Sequence, residues 1–217
     1  MTSRLFSQDE RRLLEEIIIH RRDIRGNRFT AQPVSDEAIE TLLLAALHAP
    51  SVGFSQPWEF VVVRDPAVKQ QVAASFQQEN EREATRFEDA RQAAYRRLKL
   101  EGITEAPVNL AVFYKPVQQP VLGQTAMPEM GPYSVVCAVQ NMWLMARALN
   151  LGMGWVSIVD PERVKELLQA PPHNRLVAYL CIGHVTEFPA TPELESLRWE
   201  KRKQLEQVVF SEGYGDR

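Results

Sequence analysis

A three-layer α+β sandwich is the fold class this sequence predicts, on three observations. Two helical patterns precede the first strand, strands and helices alternate after it, and the glycine fingerprints of the nucleotide-binding α/β folds, GxGxxG after a strand or GxxxxGK[ST], are absent. The first observation argues against a simple Rossmann unit, which opens on a strand.

The elements follow in order. Ser7 and Glu10 have capping-box spacing, and Leu13, Leu14, Ile17 and Ile18 recur at helical intervals behind them, so a first helix runs to about His20. Ser35 is an N-cap for a second helix through Ile39, Leu42, Leu43, Ala46 and Leu47, with Pro50 beyond its end. WEFVVV (58–63) reads as a buried strand, and VNLAVFY (108–114), GWVSIV (154–159) and LVAYLCI (176–182) as three more. Asp65-Pro66 and Asp160-Pro161 each place a capping acid before proline at the first helical position, so a helix follows each. YSVVCAVQNMWLMARALN (133–150) is apolar around most of its circumference and forms the central buried helix, closed by Gly152. Between about 67 and 101 the sequence is long, charged and poor in aliphatics, which marks a solvated helical excursion. Neither a repeat nor a linker divides the chain, so residues 1–217 form one domain.

The formal net charge of −3 supplies no basic face for nucleic acid or an anionic membrane, although a local anion site is compatible with it. Cys137 and Cys181 lie far apart in apolar runs, which points to buried thiols in a reducing compartment rather than CxxC or zinc chemistry. His20, His48, His173 and His184 lack metal-ligand spacing, so no metal is expected. MTSRLFSQDERR has no uninterrupted apolar core and no later run reaches membrane-span length, so the expected location is cytoplasmic.

Four stretches can carry chemistry. Arg21, Arg22 and Arg25 gather where the first helix runs out, and their guanidinium forks suit bidentate contact with a phosphate; a solvated helix end is the plainer reading. Asp23 stands inside this cluster, where an acid repels phosphate unless it points elsewhere. APSVGFSQPW (49–58) offers Ser51, Ser55 and Gln56 on a proline-stiffened loop, suited to a polar ring edge or a polyol chain. GMGWVSI (152–158) lets backbone approach a flat ligand at its glycines, and WEKRKQLEQVVF (199–210) supplies Arg202.

Together these stretches resemble the flavin-dependent nitroreductase superfamily, over roughly residues 10–212. Its members open with an arginine-arginine-serine-x-arginine motif, continue with an AP-S-x-x-x-QPW loop and end with a basic phosphate contact. The resemblance implies a mostly antiparallel sheet flanked by helices, in a homodimer whose FMN sites lie at the subunit interface. This chain has Asp23 at the motif's serine position. That departure, with YRRLKLEGI, YSVVCAVQN, GWVSI and the EGYG ending, is similar to one branch of the superfamily. The branch uses O2 to fragment reduced FMN, a substrate rather than a recycled cofactor, into 5,6-dimethylbenzimidazole and erythrose 4-phosphate.

The resemblance implies site roles as well. Arg21, Arg22, Arg25 and Arg202 hold the phosphate and ribityl oxygens, with Ile24 in the same stretch. Ser51, Ser55 and Gln56 fix the flavin edge, and Met153 and Trp155 line the ring. Asp23 is the base for the ribityl chain, and Ser157 donates near flavin N5. The excursion at about 75–103 is a lid, with Tyr95 and Arg96 its first residues to test. A flavin reductase supplies reduced FMN. Two other readings stand beside this one: an NAD(P)H-dependent nitroreductase that recycles FMN, and a non-catalytic FMN carrier.

Overall fold

The computed structural model describes residues 4–214, so Met1 to Ser3 of the amino-terminal stretch and Gly215 of the EGYG ending lie outside the described residues. Helix α1 (Gln8–His20) opens on the expected reciprocal cap: the Ser7 hydroxyl accepts from the Glu10 N–H at 3.2 Å, and the Glu10 carboxylate accepts from the Ser7 N–H at 2.8 Å. Helix α2 (Asp36–Leu47) is capped by Ser35. Strand β1 (Trp58–Val63) leads to α3 (Pro66–Ala84), capped by Asp65 with proline in its first turn. Then come α4 (Asp89–Tyr95), β2 (Val108–Tyr114), α5 (Met130–Ala148) and β3 (Gly152–Val156). Helix α6 (Pro161–Leu167), capped by Asp160, strand β4 (Arg175–Gly183) and the short α7 (Glu193–Ser196) complete the order.

The four strands form one antiparallel sheet in the order β1-β2-β4-β3. Successive side chains of a strand face opposite sides, so a strand covered on both sides is apolar throughout. In β2, Val108, Leu110 and Val112 pack under α2 and α5, while Ala111 and Phe113 pack on the other side with Val72 and Phe76 of α3 and Val164 of α6. In β4, Ala178, Leu180 and Ile182 alternate in the same way with Tyr179 and Cys181. These are the three layers.

Helix α5 and strand β3 depart from their expected bounds at both ends. Helix α5 ends at Ala148, and the turn is made by Asn150 in the left-handed region (φ 55°) rather than by Gly152. Gly152 instead opens β3, where Gly152 and Met153 pair with Gly183 and Ile182; the strand therefore runs 152–156, not 154–159, and Ser157 lies beyond it. His48 caps the C-terminal end of α2 and is exposed rather than interior. The excursion at 75–103 is anchored at both ends, because Phe76 and Ile103 belong to the core between sheet and α6.

Candidate functional site

Past α1 the chain becomes extended at Arg21 (φ −64°, ψ 134°) and runs parallel to the outer edge of β3. The Ile24 N–H donates to the Met153 carbonyl at 3.0 Å, and Asp23 bridges Met153. Extended backbone alternates its side chains. Arg22 and Ile24 therefore turn inward and are buried, whereas Arg21, Asp23 and Arg25 share the opposite face. Glycine is required alongside: a Cβ at Gly154 collides with the Ile24 carbonyl, and one at Gly152 with Val185 and Ile24. The glycines of GMGWVSI thus admit a neighbouring stretch of the same chain, where the sequence suggested a flat ligand.

The three arginines of the motif have different fates. Arg22 donates to four carbonyls: Ile19 at 2.6 Å, Arg21 at 2.8 Å, Pro189 at 3.0 Å and Ala190. Hydrogen bonds involving a charged group contribute about 1.5–3 kcal/mol each, so Arg22 clamps residues 189–190 onto the end of α1. Arg25, with its side chain 14% exposed, is ion-paired through Nη2 to Asp23 Oδ2. Its Nη1 donates to the carbonyls of Leu100 at 2.9 Å and Trp155 at 3.3 Å. The Trp155 N–H donates to Asp23 Oδ1 at 3.1 Å, which closes a ring in which Asp23 and Arg25 together take both backbone groups of Trp155. Arg21 stays open to the cleft, its guanidinium over the Trp143 ring at 4.7 Å, and Trp143 donates from Nε1 to the Arg22 carbonyl at 3.2 Å.

Burial pushes the Asp23 carboxyl above the ordinary carboxylate range, while Arg25, the Trp155 N–H and Arg21 act in the opposite direction. Its side chain remains 36% exposed, open to the cleft with both oxygens fixed. Burial depresses Arg21 and Arg202 adds repulsion, with Asp23 in partial compensation. Among the described residues no hydrogen bond or ion pair engages Arg202. Arg21, Asp23, Trp143, Thr191 and Arg202 line one cleft of about 810 Å³; Asp23, Arg25, Lys99, Leu100, Leu194 and Leu197 line an adjoining space of about 120 Å³.

The structure places the 49–58 loop elsewhere. Ser55 and Gln56 line a separate groove of about 500 Å³ with Lys115, Val117, Gln118 and His173. The Ser51 hydroxyl accepts from the Gln56 N–H at 3.1 Å and so holds the loop's own turn, in which Phe54 and Gln56 adopt positive φ (53° and 47°). Such backbone persists only where the surroundings impose it. The Ser55 Oγ is buried without a hydrogen-bond partner. Met153 and Ile24 are both buried, so neither lines the cleft. Ser157 is exposed just past β3, with no side-chain hydrogen bond among the described residues.

Of the two residues expected in a lid, Tyr95 is buried within the excursion itself, stacked on Phe87 at 5.0 Å with its hydroxyl donating to Asn80 at 2.8 Å. Arg96 makes a two-pronged ion pair with Glu81 at 2.6 Å. The residue of this region that sequence reasoning passed over is Trp199, a large apolar ring in a charged stretch, which packs on both Phe87 and Tyr95. Among the described residues no three His, Cys, Asp or Glu side chains are grouped to hold a metal, and no helix is long and apolar enough to cross a membrane.

Residues 18–184 match the nitroreductase family. The chain belongs to that family. A 5,6-dimethylbenzimidazole synthase from Rhodospirillum rubrum is 45% identical over 93% of this chain and 96% of its own length. A second protein of that name, from Rhodobacter capsulatus, is 39% identical over 90% of this chain and 95% of its own. The fold also recurs in a crystal structure of oxidized iodotyrosine deiodinase bound to FMN and 3-iodo-L-tyrosine, with a TM-score of 0.74 and 21% identity over 93% of this chain and all of that one. The family's fold accounts for the antiparallel sheet between helical layers.

Proposed function

We propose that this chain is a 5,6-dimethylbenzimidazole synthase, which with O2 fragments reduced FMN to 5,6-dimethylbenzimidazole and erythrose 4-phosphate. The observation that carries the reading is identity with proteins of that name over almost the whole of both chains, reaching 45%. The Asp23 ring supports it, because an acid among phosphate-binding arginines has a place only if it is turned away from the phosphate.

The residues suit FMN on two grounds. Arg21, Arg22 and Arg202 line an open cleft with only Asp23 and Glu195 as acids, and Arg21 and Arg202 repel one another there, a donor set that suits a phosphate. The Ser55 hydroxyl is a buried group without a partner, the kind a bound ring edge satisfies. On this reading Arg21 and Arg202 hold the phosphate, and Trp155 borders the ring. Reduced FMN supplies the electrons that oxygen takes and the carbon skeleton of the product. Asp23, held by Arg25 and the Trp155 N–H, receives a proton from the ribityl chain, a role that a raised pKa favours. Ser157 donates a hydrogen bond at the oxidised edge of the ring, and the excursion at 75–103 covers the site and keeps water out.

The separation of the Ser55 groove from the arginine cleft supports a site completed by a second copy. So does α1, whose Leu13 and Ile19 are 60% and 62% exposed, an apolar face a partner would cover. A flavin reductase delivers reduced FMN transiently, and the chain acts in the cytoplasm. The test is direct. Purified protein is mixed with chemically reduced FMN, oxygen is admitted, and mass spectrometry looks for 5,6-dimethylbenzimidazole. Stoichiometric return of oxidised FMN, with NADH-driven nitroaromatic reduction, would overturn the reading in favour of a recycling nitroreductase.

A further inference from the structure

Trp199 joins two parts of the molecule that are more than a hundred residues apart in the chain. Its ring meets Phe87 edge-on (5.3 Å, 84°) and lies 6.1 Å from Tyr95, and the Arg91 guanidinium sits over it at 4.3 Å and over Phe87 at 5.9 Å. Phe87, Arg91 and Tyr95 all belong to the excursion. Trp199 belongs to the carboxy-terminal segment, which supplies Leu194, Leu197 and Arg202 to the walls of the two clefts. The Trp199 N–H donates to the Leu194 carbonyl at 2.8 Å, so the ring's position and that wall are tied together. The segment is thus fixed at its start by Arg22, through Pro189 and Ala190, and at residue 199 by the excursion. Beyond Tyr95 the excursion returns through Leu98, Lys99 and Leu100, which border Asp23.

We propose that Trp199 is a positioning residue for the reaction: it latches the lid to the segment that carries Arg202, so that the two close over Asp23 as one unit. The proposal rests on the synthase reading for its chemistry. An aromatic pair of this geometry biases an equilibrium roughly two- to twelve-fold, and an exposed cation–π contact adds about two- to five-fold. Effects of that size set how often the lid opens and leave the fold intact. With the latch open, water reaches the flavin, and the competing reaction transfers two electrons and two protons from reduced FMN to O2, giving oxidised FMN and hydrogen peroxide.

The test is a single turnover with reduced FMN bound to excess protein, followed by air, with 5,6-dimethylbenzimidazole and peroxide measured in the same sample. Trp199→Ala lowers the ratio of product to peroxide by about tenfold, as loss of both ring contacts implies, and the excess of protein keeps reduced FMN bound in the variant. Trp199→Phe restores most of the ratio. Phe87→Ala, which removes the facing half, gives the same shift, and the double variant adds little to it. Hydrogen exchange across residues 87–100 reads the latch without any chemistry and quickens in Trp199→Ala. An unchanged ratio together with unchanged exchange overturns the latch; so does an equal loss in the Ala and Phe variants. Absence of product from the wild-type protein counts against the synthase reading instead, and the exchange measurement then decides the latch alone.

Discussion

Asp23 and Ser55 are both polar groups assigned to the proposed flavin site, and the chain treats them oppositely. Each oxygen of Asp23 has a partner from the chain itself, Arg25 on one side and the Trp155 N–H on the other. Ser55 has a buried hydroxyl with none. The same contrast divides the arginines: Arg22 and Arg25 are committed to carbonyls and Asp23, whereas Arg21 and Arg202 face an open cleft. A group that must hold a fixed direction during a proton transfer is preorganised by the fold. Groups that only bind are left for the ligand to satisfy. Substitutions on the two sides of this division therefore fail in different ways.

The largest effect is expected at Asp23. Asp23→Asn keeps the shape and the Trp155 contact but cannot accept a proton, and removal of a general base costs about 10²- to 10⁴-fold. Formation of 5,6-dimethylbenzimidazole, measured by mass spectrometry after a single turnover, falls by that much while reduced FMN still binds. A parallel loss of binding would place Asp23 on the ligand-binding side of the division.

Next come Arg21→Ala and Arg202→Ala. Each removes a charge-assisted contact of about 1.5–3 kcal/mol, so FMN affinity by titration falls roughly 10- to 100-fold per substitution. The loss shrinks as salt rises, because the contact is electrostatic and partly exposed. Arg25 separates from this pair. Arg25→Met removes the strongest influence holding the Asp23 carboxyl down. The acid limb of product formation then moves to higher pH, whereas Arg25→Lys keeps the charge and leaves the limb near its original place. A fall in affinity like that of Arg21→Ala, with no movement of the limb, would move Arg25 to the binding side.

The division was only half legible in the sequence. Helix starts were readable because their determinants are local: Ser7 with Glu10, Ser35, and the Asp-Pro pairs all cap as their spacing requires. The strands announced themselves as apolar runs, but the bounds of β3 did not. Gly152 read as the close of the preceding helix and Met153 as lining a ligand ring, and only their pairing with Gly183 and Ile182 makes them strand. The arginine cluster with its misplaced acid was visible as a motif. Which guanidinium is free was not, because Arg22 is spent on carbonyls at 189 and 190 and Arg25 on those of residues 100 and 155. Trp199 went unnoticed for the same reason, since its partners are residues 87 and 95.

Asp23 also leaves a mark on stability. Its folded pKa is raised, so the folded state binds the proton more tightly than the unfolded chain does. The contribution of Asp23 is therefore fully present below the ordinary carboxylate pKa and is lost as pH rises through the raised value. The melting temperature of the wild-type protein relative to Asp23→Asn should fall across that window and level off above it. A difference that grows with pH there would mean that Arg25 outweighs burial.

The smallest effect is at Ser55. Its hydroxyl has no partner to lose, and a buried unsatisfied polar group costs about 1–3 kcal/mol, so Ser55→Ala leaves the melting temperature of the FMN-free protein unchanged or slightly higher. With FMN bound the hydroxyl has a partner, and the variant then binds FMN more weakly, by roughly three- to tenfold for one neutral hydrogen bond. Both signs are needed. Destabilisation of the FMN-free protein would mean that Ser55 is held by the chain, as Asp23 is. Unchanged affinity would mean that the 49–58 loop meets something other than the flavin edge.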